Sequence, residues 1–61
     1  MELPTLSEMC KAVREALAIS QKKMAELVGT NQTEISFIER GFVPEDKAKI
    51  EKIKDYYERW C

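Results

Sequence analysis

Apolar residues recur every three or four positions along most of the chain, and the breaks between these runs carry residues that start or stop helices. Leu6, Met9, Cys10, Val13 and Leu17 make the first stripe, with Thr5 ahead of it as N-cap and Glu8 at the capping-box spacing. Ser20 caps a second helix whose buried face is Met24, Ala25, Leu27 and Val28, and Gly29 ends it, because glycine reaches a left-handed terminus most cheaply. Asn31 caps a third helix, with Glu34 at the reciprocal position, Ile35 and Ile38 facing inward and Gly41 as terminator. Helices two and three are thus separated by a turn of about three residues. Pro44 suits the first turn of a fourth helix, where Glu45 and Asp46 sit beside the positive end of the dipole. Ile50, Ile53, Tyr57 and Trp60 continue that helix along one stripe. No segment alternates apolar and polar residues better than it fits a helix, so the pattern predicts an all-α chain, a small bundle of four to five helices.

Size and composition limit what such a bundle does. The 61 residues are expected to form a single domain over 1–61, and a chain this short buries only about 60% of its unfolded surface, so a partner chain would help it fold. With 44% hydrophobic and 34% charged residues it has the balance of a soluble globular domain. No apolar run approaches the roughly 20 residues of a membrane span, and the N-terminus lacks a basic region followed by an apolar block; a cytoplasmic protein without a membrane partner is expected. The two cysteines, Cys10 and Cys61, lie at opposite ends and there is no histidine, which leaves too few soft ligands for zinc. Cys10 falls on the apolar face of the first helix as a buried thiol, and Cys61 is expected to be exposed. Without histidine, a glycine-rich phosphate loop or a nucleophile accompanied by a base, neither an enzyme nor a cofactor, metal or small-molecule substrate is expected. The net charge of −1 argues weakly against nucleic acid, but distribution matters more than the sum.

Three oddities mark the middle pair of helices. Lys22 and Lys23 occupy the first turn of helix two, where positive charge opposes the macrodipole and a nearby phosphate would reverse the penalty. Asn31, Gln32 and Thr33 open helix three with side chains that are poor core material but well matched to base edges. Phe37 falls off the inward stripe of Ile35 and Ile38, where an apolar group such as a thymine methyl, a packing neighbour or a protein partner would each give it a place.

The run "ISQKKMAELVGTNQTEISFIERG", residues 19–41, resembles the helix-turn-helix of the lambdoid phage repressor and Cro family, also called the XRE type. The resemblance is carried by the Ser-Gln start of helix two, Ala25 within it, Gly29 in the turn, Ile35 in the next helix and the closing Ile-Glu-Arg-Gly, and the helix-turn-helix core covers about 5–43. It implies a lambda-repressor-like fold whose recognition helix, about 31–40, lies in the major groove of double-stranded DNA. Asn31, Gln32 and Thr33 then read base edges, with Ser36 and Phe37 one turn further along the same face. Ser20, Gln21, Lys22, Lys23 and Arg40 fall at phosphate-facing positions, Gln21 matching the family residue that anchors helix two to the backbone. Arg14 and Glu39 match a pair that ties helix one to the end of helix three, against the alternative of two solvated surface charges. Glu34 is read as a capping residue, with acceptance from cytosine N4 as the other role for its carboxylate. One departure is the short "FV" between Gly41 and Pro44, where many relatives have a longer basic loop.

The C-terminal helix, about 44–60, balances basic against acidic residues, the pattern of a solvated face. Its aromatics, Tyr56, Tyr57 and Trp60, are either packed onto helix one or the anchors of a homodimer. A two-fold dimer would present two recognition helices about 34 Å apart and require a roughly palindromic operator. The sequence therefore predicts a DNA-binding transcriptional regulator, a repressor by the resemblance, with a protein-binding module of antitoxin or anti-repressor type as the alternative.

Overall fold

The computed structural model describes residues 4–61; the first three positions of the expected 1–61 span lie outside them. Four helices make up the described residues, with no strand among them: α1 (Leu6–Leu17), α2 (Gln21–Val28), α3 (Gln32–Glu39) and α4 (Lys47–Trp60). α1 packs against α4 and α3, and α2 packs chiefly against α3. Every expected inward stripe contributes to one core of Leu6, Cys10, Val13, Met24, Ala25, Val28, Ile35, Ile38 and Ile53, with Met9, Leu17, Ile19, Ile50, Tyr56 and Tyr57 partly buried around it.

Local hydrogen bonding explains where the helices begin. The Thr5 hydroxyl accepts the Glu8 N–H at 3.2 Å, the Ser20 hydroxyl accepts the Lys23 N–H at 3.1 Å, and the Asn31 side-chain oxygen accepts the Glu34 N–H at 2.8 Å. Each satisfies a donor that has no partner within its helix. The glutamates at the reciprocal positions do something else. Glu8 accepts from the Thr5 hydroxyl at 3.3 Å, and Glu34 takes the Thr30 hydroxyl and the Lys49 ammonium, so the capping role read for Glu34 is replaced by a tie to α4.

The start of α4 is a second correction. Pro44 is not in its first turn: Asp46 is the N-cap, its carboxylate accepting the Ala48 N–H at 2.9 Å, and the helix begins at Lys47. Placing Pro44 first would have made Val43 the cap, and valine has no side-chain acceptor to offer the orphan N–H groups whereas aspartate has. Pro44 is instead buried in the connection. From Lys47 the helix runs unbroken to Trp60.

Helix ends depend on left-handed residues. Gly29, at φ +87°, closes α2 and opens the three-residue turn to α3. Gly41, at φ +113°, follows α3. α1 ends on Ala18 at φ +54°, a conformation that costs a residue with a Cβ about 1–2 kcal/mol and that the sequence pattern did not mark.

Candidate nucleic-acid interface

The turn at Gly29 projects the beginning of α3 outward. Asn31, Gln32 and Thr33 are exposed, Ser36 is half-buried, and Ile35 and Ile38 on the opposite side of the helix are sealed in the core. Gln32, Thr33, Ser36, Phe37 and Arg40 share an open cleft of about 320 Å³ with Gln21 from the start of α2. The chain thus brings together six of the ten residues expected at bases or phosphates. Asn31 adjoins a second shallow cleft beside it, lined also by Lys22, Ala25, Glu26, Thr30 and Gln32. Ser20, Lys22 and Lys23 lie at the exposed N-terminal end of α2, which has no acidic residue in its first turn. Lys23 approaches Glu26 at 3.7 Å, but both side chains are more than half exposed and so contribute little to stability.

Behind the cleft, Glu39 fixes α3 to its neighbours. It is only 8% exposed. Arg14 Nε donates to Glu39 Oε2 at 2.6 Å and Arg14 Nη2 to Oε1 at 2.9 Å, the bidentate geometry that suits a guanidinium to a carboxylate. Gln21 Nε2 donates to Oε1 at 3.2 Å and the Cys10 thiol reaches Oε2 at 3.7 Å, while the Ser7 hydroxyl donates to the Glu39 carbonyl at 2.6 Å. Burial pushes the Glu39 carboxyl up, but the Arg14 hydrogen bonds, then that of Gln21, then the Arg14 charge outweigh it and leave its pKa below the ordinary carboxylate range. Burial is also the main reason the Cys10 thiol is pushed up to about 12, reinforced by the Glu39 charge, so Cys10 is an inert core residue. The Gln21 side chain, expected at a phosphate, has its amide N–H turned inward to Glu39; its backbone N–H remains among the unpaired donors of the first turn of α2.

Lys49 makes a second brace. Its ammonium donates to Glu34 Oε1 at 2.8 Å and Thr30 Oγ1 donates to the same oxygen at 2.7 Å, so a residue in the first turn of α3 is tied to α4 and to the turn. These hydrogen bonds, Lys49 first, hold the Glu34 pKa below its ordinary value. With its carboxylate so occupied, Glu34 is poorly placed to accept from cytosine. Fifteen residues separate the two partners, and no helical spacing in the sequence links them.

The aromatic residues divide. Tyr56 and Tyr57 are half-buried against the core and Trp60 is 53% exposed, so two of the three expected dimer anchors are partly spent within the chain. Phe37 is 48% exposed and meets Phe42, 49% exposed, edge to face with ring centroids 6.5 Å apart. Phe42 was not singled out in the sequence. No helix of the described residues is long and apolar enough to cross a membrane, and no group of three potential metal-ligating side chains occurs among them.

No curated protein and no solved structure matches the chain. A helix-turn-helix family profile matches residues 11–56, from within α1 to near the end of α4. That span takes in the capped α2, the glycine turn, the outward-facing α3 and the ion pair behind it, and the chain belongs to the DNA-binding helix-turn-helix family of the lambda repressor/Cro, or XRE, type.

Proposed function

We propose that this protein is a sequence-specific transcriptional repressor that lays α3 in the major groove of double-stranded DNA. Asn31, Gln32, Thr33, Ser36 and Phe37 meet base edges, and Gln32 has the donor and acceptor needed to pair bidentately with adenine. Ser20, Lys22, Lys23 and Arg40 meet phosphates, Gln21 joining them through its backbone N–H. The observation that carries the reading is the polar, uncharged tip of α3, exposed beside the basic start of α2 while the other face of the same helix is core. In a fold held together by so few apolar residues, Gln32 and Thr33 contribute nothing to packing, and base edges are the chemistry they fit.

A homodimer on a roughly palindromic operator completes the proposal. The described residues measure 31 × 25 × 19 Å, and in the proposed dimer the two copies of α3 stand about one DNA turn, ~34 Å, apart. Trp60, with the open sides of Tyr56 and Tyr57, is the proposed contact between copies. Light scattering at micromolar concentration, with and without operator DNA, tests it: a dimer is expected at least on DNA, and monomer under both conditions removes this part.

The second reading, a protein-binding module, is favoured by the neighbouring exposed apolar residues Phe37, Phe42 and Val43. Selection of bound duplexes from a random pool at low salt separates the two. Enrichment of a motif supports the repressor; enrichment of none supports the protein-binding module.

A further inference from the structure

Building on the DNA reading above, we propose that Phe42 is a positioning residue for Phe37, and that the pair selects a thymine at one position of each half-site. Phe37 stands in the cleft with Gln32, Thr33, Ser36 and Arg40, four or three residues from Thr33 and Arg40 along the same helical face. Phe42 reaches it from outside the helix. Gly41, at φ +113°, reverses the chain so that the Phe42 N–H donates to the Phe37 carbonyl at 2.9 Å and the Gly41 N–H to that of Ile38 at 3.0 Å. This is the paired hydrogen bonding of a Schellman helix end, and it commonly brings the two side chains concerned into apolar contact.

In this protein that contact does not complete the core. Both rings remain about half exposed, on the face proposed to meet a polyanion, where bare apolar surface lowers affinity unless an apolar group covers it. Along the major-groove edge of the bases that group is the C5-methyl of thymine. A lone phenylalanine at the helix surface would exchange rotamers, whereas an edge-to-face neighbour, anchored through Phe37's own carbonyl, holds the ring in one orientation before DNA arrives.

The test replaces each thymine of the selected duplex in turn by deoxyuridine, which lacks only the methyl, and measures Kd by fluorescence anisotropy. The wild-type protein is expected to lose about fourfold at one position per half-site, the value of one buried methyl at ~0.8 kcal/mol. Phe37→Ala should be indifferent to that replacement. Phe42→Ala and Phe42→Leu should both show a thymine-to-uracil ratio below about twofold; the leucine variant keeps an apolar residue at the helix end, so the readout survives even where the alanine variant melts. A wild-type protein indifferent to every thymine methyl overturns the thymine assignment, and a wild-type ratio in both Phe42 variants overturns the positioning role. Failure to enrich any duplex would instead remove the DNA reading itself, and the inference with it.

Discussion

Glu39 holds its charge among groups from α1 and α2 rather than in water, so its ionisation is coupled to folding. Its pKa, like that of Glu34, is lower in the folded chain than in the unfolded one, where about 4.3 is normal, so the unfolded state binds more protons in the acid range. The stability the two carboxylates provide is therefore complete above about pH 5 and is lost as pH falls through their folded values. Glu39→Gln removes the charge and leaves Arg14 facing a neutral amide. Because Arg14 is 26% exposed, the expected cost is about 2–3 kcal/mol, below the 3–5 typical of a fully buried pair. Urea unfolding at pH 7 and pH 4 should show the variant less stable at pH 7 and less sensitive to acid than the wild type; equal pH sensitivity would contradict the coupling. The Arg14–Glu39 match came from the resemblance, but the convergence of Ser7, Cys10 and Gln21 on Glu39 did not. Separations of 32, 29 and 18 residues leave no periodic trace in a sequence.

The helices illustrate how capping chemistry and periodicity make elements legible. Thr5, Ser20 and Asn31 each start a helix where an oxygen-bearing side chain precedes an apolar stripe, and α2, α3 and their turn lie where the pattern placed them. The start of α4 departs from the proline signal because Asp46, and not Val43 before Pro44, has the side-chain acceptor a cap needs. α1 ends at Leu17, the last residue of its stripe, but its left-handed cap leaves no mark in the sequence, because Ala18 takes that conformation for reasons of chain direction and not of its own preference. That difference makes a matched pair of predictions. Ala18→Gly should raise stability by about 1 kcal/mol by relieving a strained φ, and Gly29→Ala should lower it by about 1–2 kcal/mol. A Cβ at Gly29 would meet nothing within 4 Å, so the loss is conformational alone. Thermal unfolding followed by circular dichroism measures both, and shifts of the same sign would contradict the account.

At the scale of the whole molecule, an acidic protein is proposed to bind a polyanion, so local charge must outweigh a net charge of −1. The proposed interface offers Lys22, Lys23 and Arg40 from each copy, which in a dimer neutralises about six phosphates and gives a slope of log affinity against log salt of about −5. A slope near zero would mean that these cations do not reach the backbone. The bundle's outward-facing α3 follows from patterns visible in the sequence, and the Phe42 brace from the local helix end at Gly41, whereas the brace from Lys49 depends on how α4 folds back, which no local pattern records. Both braces serve one claim, that the exposed beginning of α3 reads base sequence. Its most direct test is the affinity of wild type and Gln32→Ala for the selected duplex and for unrelated DNA. The account predicts a loss of about 1–3 kcal/mol on the selected duplex with little change on the other, and an equal loss on both, or none on either, would contradict it.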